Sequence, residues 1–254
     1  MRLDERLVHD GLVESRSLAQ RLVMAGSVRV DGQVVDKSSA KVRDGQVLTV
    51  DAGPPFVSRG GEKLENALVD HAGRIEAEGF RVEGAHAIDI GASTGGFTDC
   101  LLQRGAAHVV AVDVGYGQLH QRLRAHERVT MMERTNARHL TREDLPFAPD
   151  LIVCDASFIP LATVLPATIA AMSPQGWWGV LLCKPQFEAG RDRMNRHGRK
   201  GVLTDVDVRA QVVEETVASV RSMGVDVLDV VQAHPPGPKG NIEYVLLVRG
   251  PVSS

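Results

Sequence analysis

The segment HAIDIGASTGGFTD, residues 86–99, carries the first side chains of this sequence that could hold a ligand. It reads as the end of a strand, a glycine turn and the start of a helix. Gly91 permits a tight turn, and Gly95 lets a ligand approach the backbone closely. Asp113 lies 22 residues after Gly91, at the end of the next apolar run. A carboxylate at that position can accept hydrogen bonds from the ribose hydroxyls of a nucleotide-like ligand.

The charge around the loop indicates which nucleotide-like ligand it takes. Asp89 precedes the loop, where it would repel a phosphate and is a candidate contact for the amino group of a cationic ligand. The spacing G-x-S-x-G-G also differs from the G-x-G-x-x-G of dinucleotide enzymes. S-adenosylmethionine fits, because it has ribose hydroxyls, an ammonium and a sulfonium but no phosphate. Asn136 follows the third apolar run and could face the adenine edge, although an isolated Asn there is also typical of a turn. A glycine turn used only for helix–sheet packing is the alternative for the loop.

Four charged residues stand at the ends of predicted strands or helices: Lys63, Asp155, Lys184 and Glu243. Because ligands bind beyond the carboxyl ends of parallel strands, we expect these side chains to converge beside the cofactor. A hydroxyl is a weak nucleophile until it loses its proton. Lys184 could take that proton if burial and the second cation, Lys63, favour its neutral form, while the two carboxylates orient the lysines. A structural salt bridge is the alternative for any single pair.

Basic residues that could contact RNA lie in two parts of the chain. The first group, in the predicted N-terminal helix pair, is Arg2, Arg6, Arg16 and Arg21. The second group, in residues 188–201, is Arg191, Arg193, Arg196, Arg199 and Lys200. This second segment follows Lys184 directly, and we expect a mobile loop that becomes ordered on RNA. Phe158 and Phe187 are the nearby aromatic residues that could stack on a splayed base. A solvated mixed-charge surface is the alternative for both groups.

The elements that must position these residues fall into three segments. Residues 1–52 predict two short helices and a small set of strands, and residues 53–61 predict a linker rich in Pro and Gly. Residues 62–250 begin with a helix near Glu62 and then alternate strands with helices. The first five strand candidates are continuous apolar runs, which is typical of strands covered on both faces. We therefore expect an α/β fold with a mostly parallel seven-stranded sheet, whose last two strands pair antiparallel because no helix joins them.

Composition narrows the class of protein. The 254 residues are 43% hydrophobic with a net charge of −3, so any nucleic-acid surface must be local. Cys100, Cys154 and Cys183 lie far apart in apolar segments, which predicts buried free thiols and no metal site. Apolar runs fall short of the about 20 residues that a membrane helix needs, and the N-terminus lacks the apolar core of a signal peptide. We expect a cytoplasmic protein without stable membrane association.

Several motifs resemble those of one family. DIGASTGGFTDC, VCDASFI, CKPQFEAGR and GNIEY are similar to the hemolysin A (TlyA-type) ribosomal RNA methyltransferases, whose catalytic domain is FtsJ-like. Residues 2–45 resemble the small RNA-binding domain named after ribosomal protein S-four, so the likeness covers almost the whole chain. It implies a Rossmann-like class I methyltransferase preceded by a small α+β RNA-binding domain. It also implies S-adenosylmethionine-dependent 2′-O-methylation of ribose in ribosomal RNA, at cytidine, within ribosomal subunits.

The resemblance assigns roles to residues of this sequence. It implies a catalytic tetrad of Lys63, Asp155, Lys184 and Glu243, with Lys184 as the base. It implies cofactor contacts at Gly91, Ser93, Gly95, Phe97, Asp113, Asn136 and Asp155. One departure is the linker before VSRG, which reads PPF here and contains a Trp in some members of the family.

The sequence is also compatible with other classes of function. A non-catalytic rRNA-binding or ribosome-assembly factor would not need the tetrad, and a membrane-active hemolysin would need an apolar or lytic segment that is not visible. Methylation of a base would usually employ a base-reading pocket or a catalytic Cys. Both a monomer and a homodimer are compatible with the sequence.

Overall fold

The computed structural model describes residues 1–51 and 53–251, and the chain divides into two compact units between Pro55 and Phe56. Residue 52, the last residue of the predicted N-terminal domain, lies outside the described residues. The elements of the first unit are α1 (Leu3–His9), α2 (Arg16–Met24), β1 (Val28–Val30), β2 (Gln33–Val34) and β3 (Leu48–Val50). The strands form an antiparallel sheet in the order β2–β1–β3.

Local sequence explains the first unit. Ser15 caps α2, because its Oγ accepts a hydrogen bond from the Leu18 N–H at 3.3 Å. The apolar faces of both helices pack on β1 around Leu3, Leu7 and Val28. Residues 41–50, KVRDGQVLTV, repeat the strand–turn–strand pattern of residues 27–37, but β3 is the only strand that forms there. The residues before β3 instead make a turn in which the Gln46 side chain accepts from the Arg43 N–H at 2.9 Å.

The second unit alternates helices and strands. Its elements up to the third strand are α3 (Arg59–Asp70), α4 (Ala72–Ala77), β4 (His86–Ile90), α5 (Gly96–Gln103), β5 (His108–Val112), α6 (Gln121–Arg124) and β6 (Val129–Met132). They continue with β7 (Leu151–Cys154), α7 (Leu161–Ala170), β8 (Trp178–Cys183), α8 (Pro185–Glu188), α9 (Gly190–His197), β9 (Gly198–Arg199) and β10 (Val202–Leu203). The last elements are α10 (Val206–Arg221), β11 (Asp226–Gln232) and β12 (Tyr244–Arg249).

Seven strands of this unit form one sheet in the order β11–β12–β8–β7–β4–β5–β6. The strands from β8 to β6 in that order are parallel, whereas β12 runs antiparallel to both β8 and β11. The mostly parallel sheet and the antiparallel last pair are therefore confirmed. The position of β12 between β8 and β11 was not predicted, because order within a sheet depends on long-range packing.

The sheet is covered on both faces, as the continuous apolar runs predicted. Successive residues of β4 pack on opposite faces of the sheet. Ala87 packs with α3 and α5, whereas Ile88 and Ile90 pack with α7 and α10. This alternation follows from the two-residue period of a strand. All three cysteines are free and buried, as expected. Among the described residues, no helix is long and apolar enough to cross a bilayer, and no cluster of side chains could hold a metal ion.

Helix α3 begins at Arg59, three residues before the predicted start at Glu62. The reason is a glycine contact between the first turns of α3 and α5. A Cβ atom on Gly96 would lie 2.3 Å from Ser58 Oγ, 2.7 Å from Gly61 N and 3.0 Å from Gly60 Cα. The first turns of two helices can approach this closely only where no side chain separates them. Glycine is therefore needed at position 96, although it is a poor helix former.

We expect Gly96→Ala to destabilise the second unit by about 1–3 kcal/mol, because the added methyl group must push α3 away from α5. Both tryptophans, Trp177 and Trp178, lie in this unit, so urea unfolding followed by tryptophan fluorescence reports on it alone. Gly73→Ala in α4 is the matched control: nothing lies within 4 Å of a Cβ there. That change should stabilise by about 0.4–1 kcal/mol. Equal effects of the two variants would contradict the close-packing argument.

Candidate functional site

The loop after β4 turns the chain sharply into α5 at the carboxyl edge of the sheet. Gly91 has a φ of +81° and Gly95 one of +92°, which glycine adopts without strain. The Ser93 N–H donates to Asp113 Oδ2 at 2.8 Å, and the Gly115 N–H donates to Asp113 Oδ1 at 2.7 Å. The carboxylate that ends β5 is thus held by the loop beside it.

A cavity of about 390 Å³ opens over the carboxyl ends of β4, β5 and β7. It is called the acidic cavity below, because its described lining holds the carboxylates Asp113 and Asp155 and no basic side chain. The predicted residues that line it are Gly91, Ser93, Asp113, Asn136 and Asp155. Its donors and acceptors fit S-adenosylmethionine: Asp113 can accept from ribose hydroxyls, and the acidic lining suits a ligand with cationic groups.

A second cavity of about 590 Å³ adjoins the first, and it is called the basic cavity below. The two share Gly91, Ser93, Asp155, Ser157 and Phe158 as lining residues. The described lining of the basic cavity holds four cations, Arg59, Lys63, Lys184 and Lys239, against the carboxylates Asp155 and Glu243. Two adjoining cavities therefore differ in the sign of their charge, and Asp155 belongs to both.

The basic cavity brings together all four residues of the predicted tetrad as two ion pairs. Lys63 Nζ lies 2.6 Å from Glu243 Oε2, and Lys184 Nζ lies 2.7 Å from Asp155 Oδ1. Lys184 Nζ also donates to Ser157 Oγ at 2.7 Å, which fixes the direction of the ammonium. Both lysines and Glu243 are buried, so each charge has a partner in a region of low dielectric constant.

Three polar residues of the two cavities were missed by the sequence reasoning: Ser157 and Gln186 beside the tetrad, and Gln118 in the acidic cavity. Ser157 contacts Lys184, Gln186 donates to Glu243 Oε1 at 3.1 Å, and Gln118 accepts from Ser93 Oγ at 3.2 Å. Ser157 and Gln186 each stand two positions after a tetrad residue. That spacing is the signal that could have found them.

Some predicted cofactor residues lie elsewhere. Asp89 is fully buried and lines neither cavity; Thr98 Oγ1 donates to its Oδ2 at 2.6 Å. Burial raises the pKa of Asp89 to about 7, so it carries only part of a negative charge at neutral pH. Gly95 also lines neither cavity. A Cβ atom on Gly95 would point at Leu123 and collide with it, so this position faces the protein interior. Phe97 is buried and lines the basic cavity rather than the acidic one.

Residues 188–201 are not the irregular loop that was expected. The segment starts at the last residue of α8 and contains the whole of helix α9. It ends with strand β9 and the turn of the β9–β10 hairpin. Two features stabilise α9: Asp192 lies in its first turn and Arg196 in its last, which suits the helix dipole, and Arg193 pairs with Glu215 of α10 at 2.6 Å. Arg191, Arg199 and Lys200 are exposed. The basic residues therefore stand on a regular scaffold next to Lys184.

Three of the four arginines predicted in the first unit, Arg2, Arg6 and Arg16, are held by carboxylates. Asp4, fully buried, accepts from Arg2 Nε and Arg16 Nε, each at 3.0 Å, and from Gln20 Nε2 at 2.9 Å. The Arg2 guanidinium, helped by Gln20 and Arg16, holds the pKa of Asp4 well below its usual range. Arg6 pairs with Asp10 at 2.7 Å. These guanidinium groups are therefore oriented by the unit's own acids; Arg21 is exposed on α2.

Comparison with known proteins gives a consistent result. A family model described as FtsJ-like methyltransferase matches residues 56–249, and an S4 domain model matches residues 1–48. Over 250 residues the chain is 46% identical to the 16S/23S rRNA (cytidine-2′-O)-methyltransferase TlyA of Mycobacterium tuberculosis, covering 98% of this chain and 89% of that protein. It is 38% identical to hemolysin A of Brachyspira hyodysenteriae, covering 96% of this chain and 98% of that protein.

A solved structure agrees with the sequence matches. A proposed hemolysin from Streptococcus thermophilus superimposes with a TM-score of 0.70 at 38% identity, covering 98% of this chain and 88% of that chain. The sheet order, the glycine loop and the family model, which spans most of the chain, lead to one conclusion. This chain belongs to the FtsJ-like methyltransferase family, with an S4 domain preceding the methyltransferase domain.

Proposed function

We propose that the protein transfers a methyl group from S-adenosylmethionine to the ribose 2′-hydroxyl of a cytidine in ribosomal RNA, within ribosomal subunits in the cytoplasm. The observation that carries the proposal is the junction of the two cavities at Asp155, whose carboxylate lies 2.7 Å from Lys184 Nζ. A cationic donor suits the acidic side of this junction, and a polyanionic acceptor suits the basic side. The name of the Mycobacterium tuberculosis relative supports the choice of rRNA, cytidine and the 2′-oxygen.

The acidic cavity would hold the cofactor. Asp113 would accept from the ribose hydroxyls, and Asn136 would meet the adenine edge. Asn136 Oδ1 also accepts a hydrogen bond from the Arg138 N–H at 3.2 Å, so Asn136 both caps a turn and lines the cavity. When bound, S-adenosylmethionine supplies a methyl carbon made electrophilic by the sulfonium.

The basic cavity would prepare the acceptor. Lys184 in its neutral form would take the proton of the 2′-hydroxyl at Nζ, while Asp155 and Ser157 hold that nitrogen in place. Lys63, fixed by Glu243, would provide a positive charge close to the oxygen as negative charge develops there. Gln186 holds the second oxygen of Glu243, so the pair has one orientation. Alignment of acceptor and donor is the remaining requirement.

A non-catalytic RNA-binding factor is the competing proposal, since the S4 domain and the basic segment alone would suffice for it. Binding alone does not call for two buried lysine–carboxylate pairs facing a second, acidic cavity, because burying charges costs free energy. Two of the relatives named above bear the name hemolysin. Neither RNA binding alone nor hemolysis depends on the Lys184 amine. Loss of function in Lys184 variants therefore distinguishes methyl transfer from both of these activities.

The test is transfer of tritiated methyl from S-adenosylmethionine to purified, unmethylated ribosomal subunits, with the modified nucleoside identified by mass spectrometry. We expect 2′-O-methylcytidine from the native protein and a loss of about 100- to 10,000-fold in kcat for Lys184→Ala, because the base is removed. Lys184→Arg keeps the charge but cannot be deprotonated, so it should be equally inactive. Methylation of a base, or an active Lys184→Arg variant, would refute the mechanism.

Cofactor affinity should depend on Asp113. Asp113→Asn removes an ionised acceptor from the ribose hydroxyls, and we expect calorimetry to give a Kd for S-adenosylmethionine raised by about 10- to 100-fold. Asp150→Asn is the matched control: Asp150 also accepts a backbone N–H, from His86 at 2.8 Å, but at the opposite edge of the sheet. Similar losses in both variants would mean that the effect is structural rather than local.

Phe158 offers a test of acceptor binding. Its side chain is 87% exposed at the wall that both cavities share, and its ring centroid lies 4.7 Å from that of Phe187. If the ring stacks on the target base, Phe158→Ala should raise KM for ribosomal subunits by about 5- to 100-fold. Phe158→Trp should retain low KM. A Phe158→Ala variant whose only defect is weaker S-adenosylmethionine binding would argue against stacking on RNA.

A further inference from the structure

Lys239 is a cation of the basic cavity that lies outside the tetrad. It stands in the segment of residues 233–243, which joins β11 to β12 and forms one wall of that cavity. Its side chain is exposed, and it lines the cavity together with Lys63 and Lys184. Its position at the mouth suggests a contact with the acceptor rather than with the reacting atoms.

Among the described residues, the ion pairs of the cavity leave Lys239 without a carboxylate. Lys63 is matched by Glu243 and Lys184 by Asp155. In the described part of the chain Lys239 Nζ makes one long contact, a hydrogen bond of 3.3 Å to the Lys200 carbonyl oxygen. A neutral carbonyl holds an ammonium less strongly than an anionic oxygen does. The charge of Lys239 is therefore available to an anionic ligand.

The backbone at Lys239 is unfavourable for a residue with a side chain. Its φ is +59°, in the left-handed region where glycine is at ease and a lysine is strained. The neighbouring Gly240 has a φ of +80°, so this turn readily accommodates glycine. A lysine that occupies such a position against the backbone preference points to a role for its side chain.

We propose that Lys239 binds a phosphate of the RNA backbone next to the target nucleotide and so seats that nucleotide in the basic cavity. The proposal rests on the proposed function and adds a specific substrate contact to it. The contact to the Lys200 carbonyl, and one from Asn241 Nδ2 to the Gly201 carbonyl at 3.2 Å, join this wall to the β9–β10 turn. A phosphate held by Lys239 would thus lie beside the exposed cations Arg199 and Lys200.

The test uses Lys239→Gly in the full chain, with unmethylated ribosomal subunits as the RNA probe. Glycine removes the ammonium and relieves the backbone at the same time. We expect thermal stability equal to or above that of the native protein, together with a KM for subunits raised about five- to tenfold. The plot of log K for binding against log salt concentration should lose about one unit of slope, as for one lost phosphate contact. Lys239→Arg should restore both KM and slope.

Arg81→Gln is the charge-matched control, because Arg81 lies before β4 at the opposite edge of the sheet. It should leave KM and salt slope as in the native protein. The inference is overturned if Lys239→Gly leaves KM and salt slope unchanged; lowered stability in that case would make the residue structural. It is also overturned if the variant weakens S-adenosylmethionine binding instead. Native protein that methylates no ribosomal substrate would refute the proposed function itself, a result distinct from these.

Discussion

The direction of strand β12 is the constraint on which the site depends. Strand β12 runs antiparallel to β8, with Tyr244 opposite Cys183. Glu243, just before β12, and Lys184, just after β8, therefore lie next to each other at the same edge of the sheet. A parallel β12 would have put Glu243 at the other edge, beside Trp178, which begins β8. One reversed strand in a parallel sheet therefore supplies the carboxylate that Lys63 needs.

Burial then dictates how the charges must be arranged. The side chains of Lys63 and Lys184 are 10% and 9% exposed, and Glu243 is 1% exposed. Charges this deep need partners with good geometry, or the folded state is destabilised. Each lysine has one carboxylate and the second oxygen of Glu243 has Gln186, so the cavity can keep two amines at fixed positions. The arrangement also separates an acidic side from a basic side without any metal-ligand cluster among the described side chains.

Much of this could be read from the sequence, because the signals were local. Continuous apolar runs gave the buried strands, and charged residues directly after those runs were bound to emerge at one edge of the sheet. The failures have physical causes. The place of β12 depends on contacts distant in sequence, and α9 depends on the pair that Arg193 makes with Glu215. Asp89 was expected to face a ligand, but an inward side chain on a strand is indistinguishable in sequence from an outward one when both faces are buried.

Two cysteines directly precede charged residues of the site. Cys154 comes just before Asp155 and Cys183 just before Lys184, and successive strand residues point to opposite faces, so both thiols turn into the apolar layer against α7 and α10. Burial raises the pKa of Cys154 to about 12 and raises that of Cys183 as well. Cys100 is also buried, and its pKa is likewise raised. All three thiols are therefore enclosed and favour the protonated form, so none is placed to attack a pyrimidine ring, and thiol-directed alkylating reagents should react slowly with the folded enzyme.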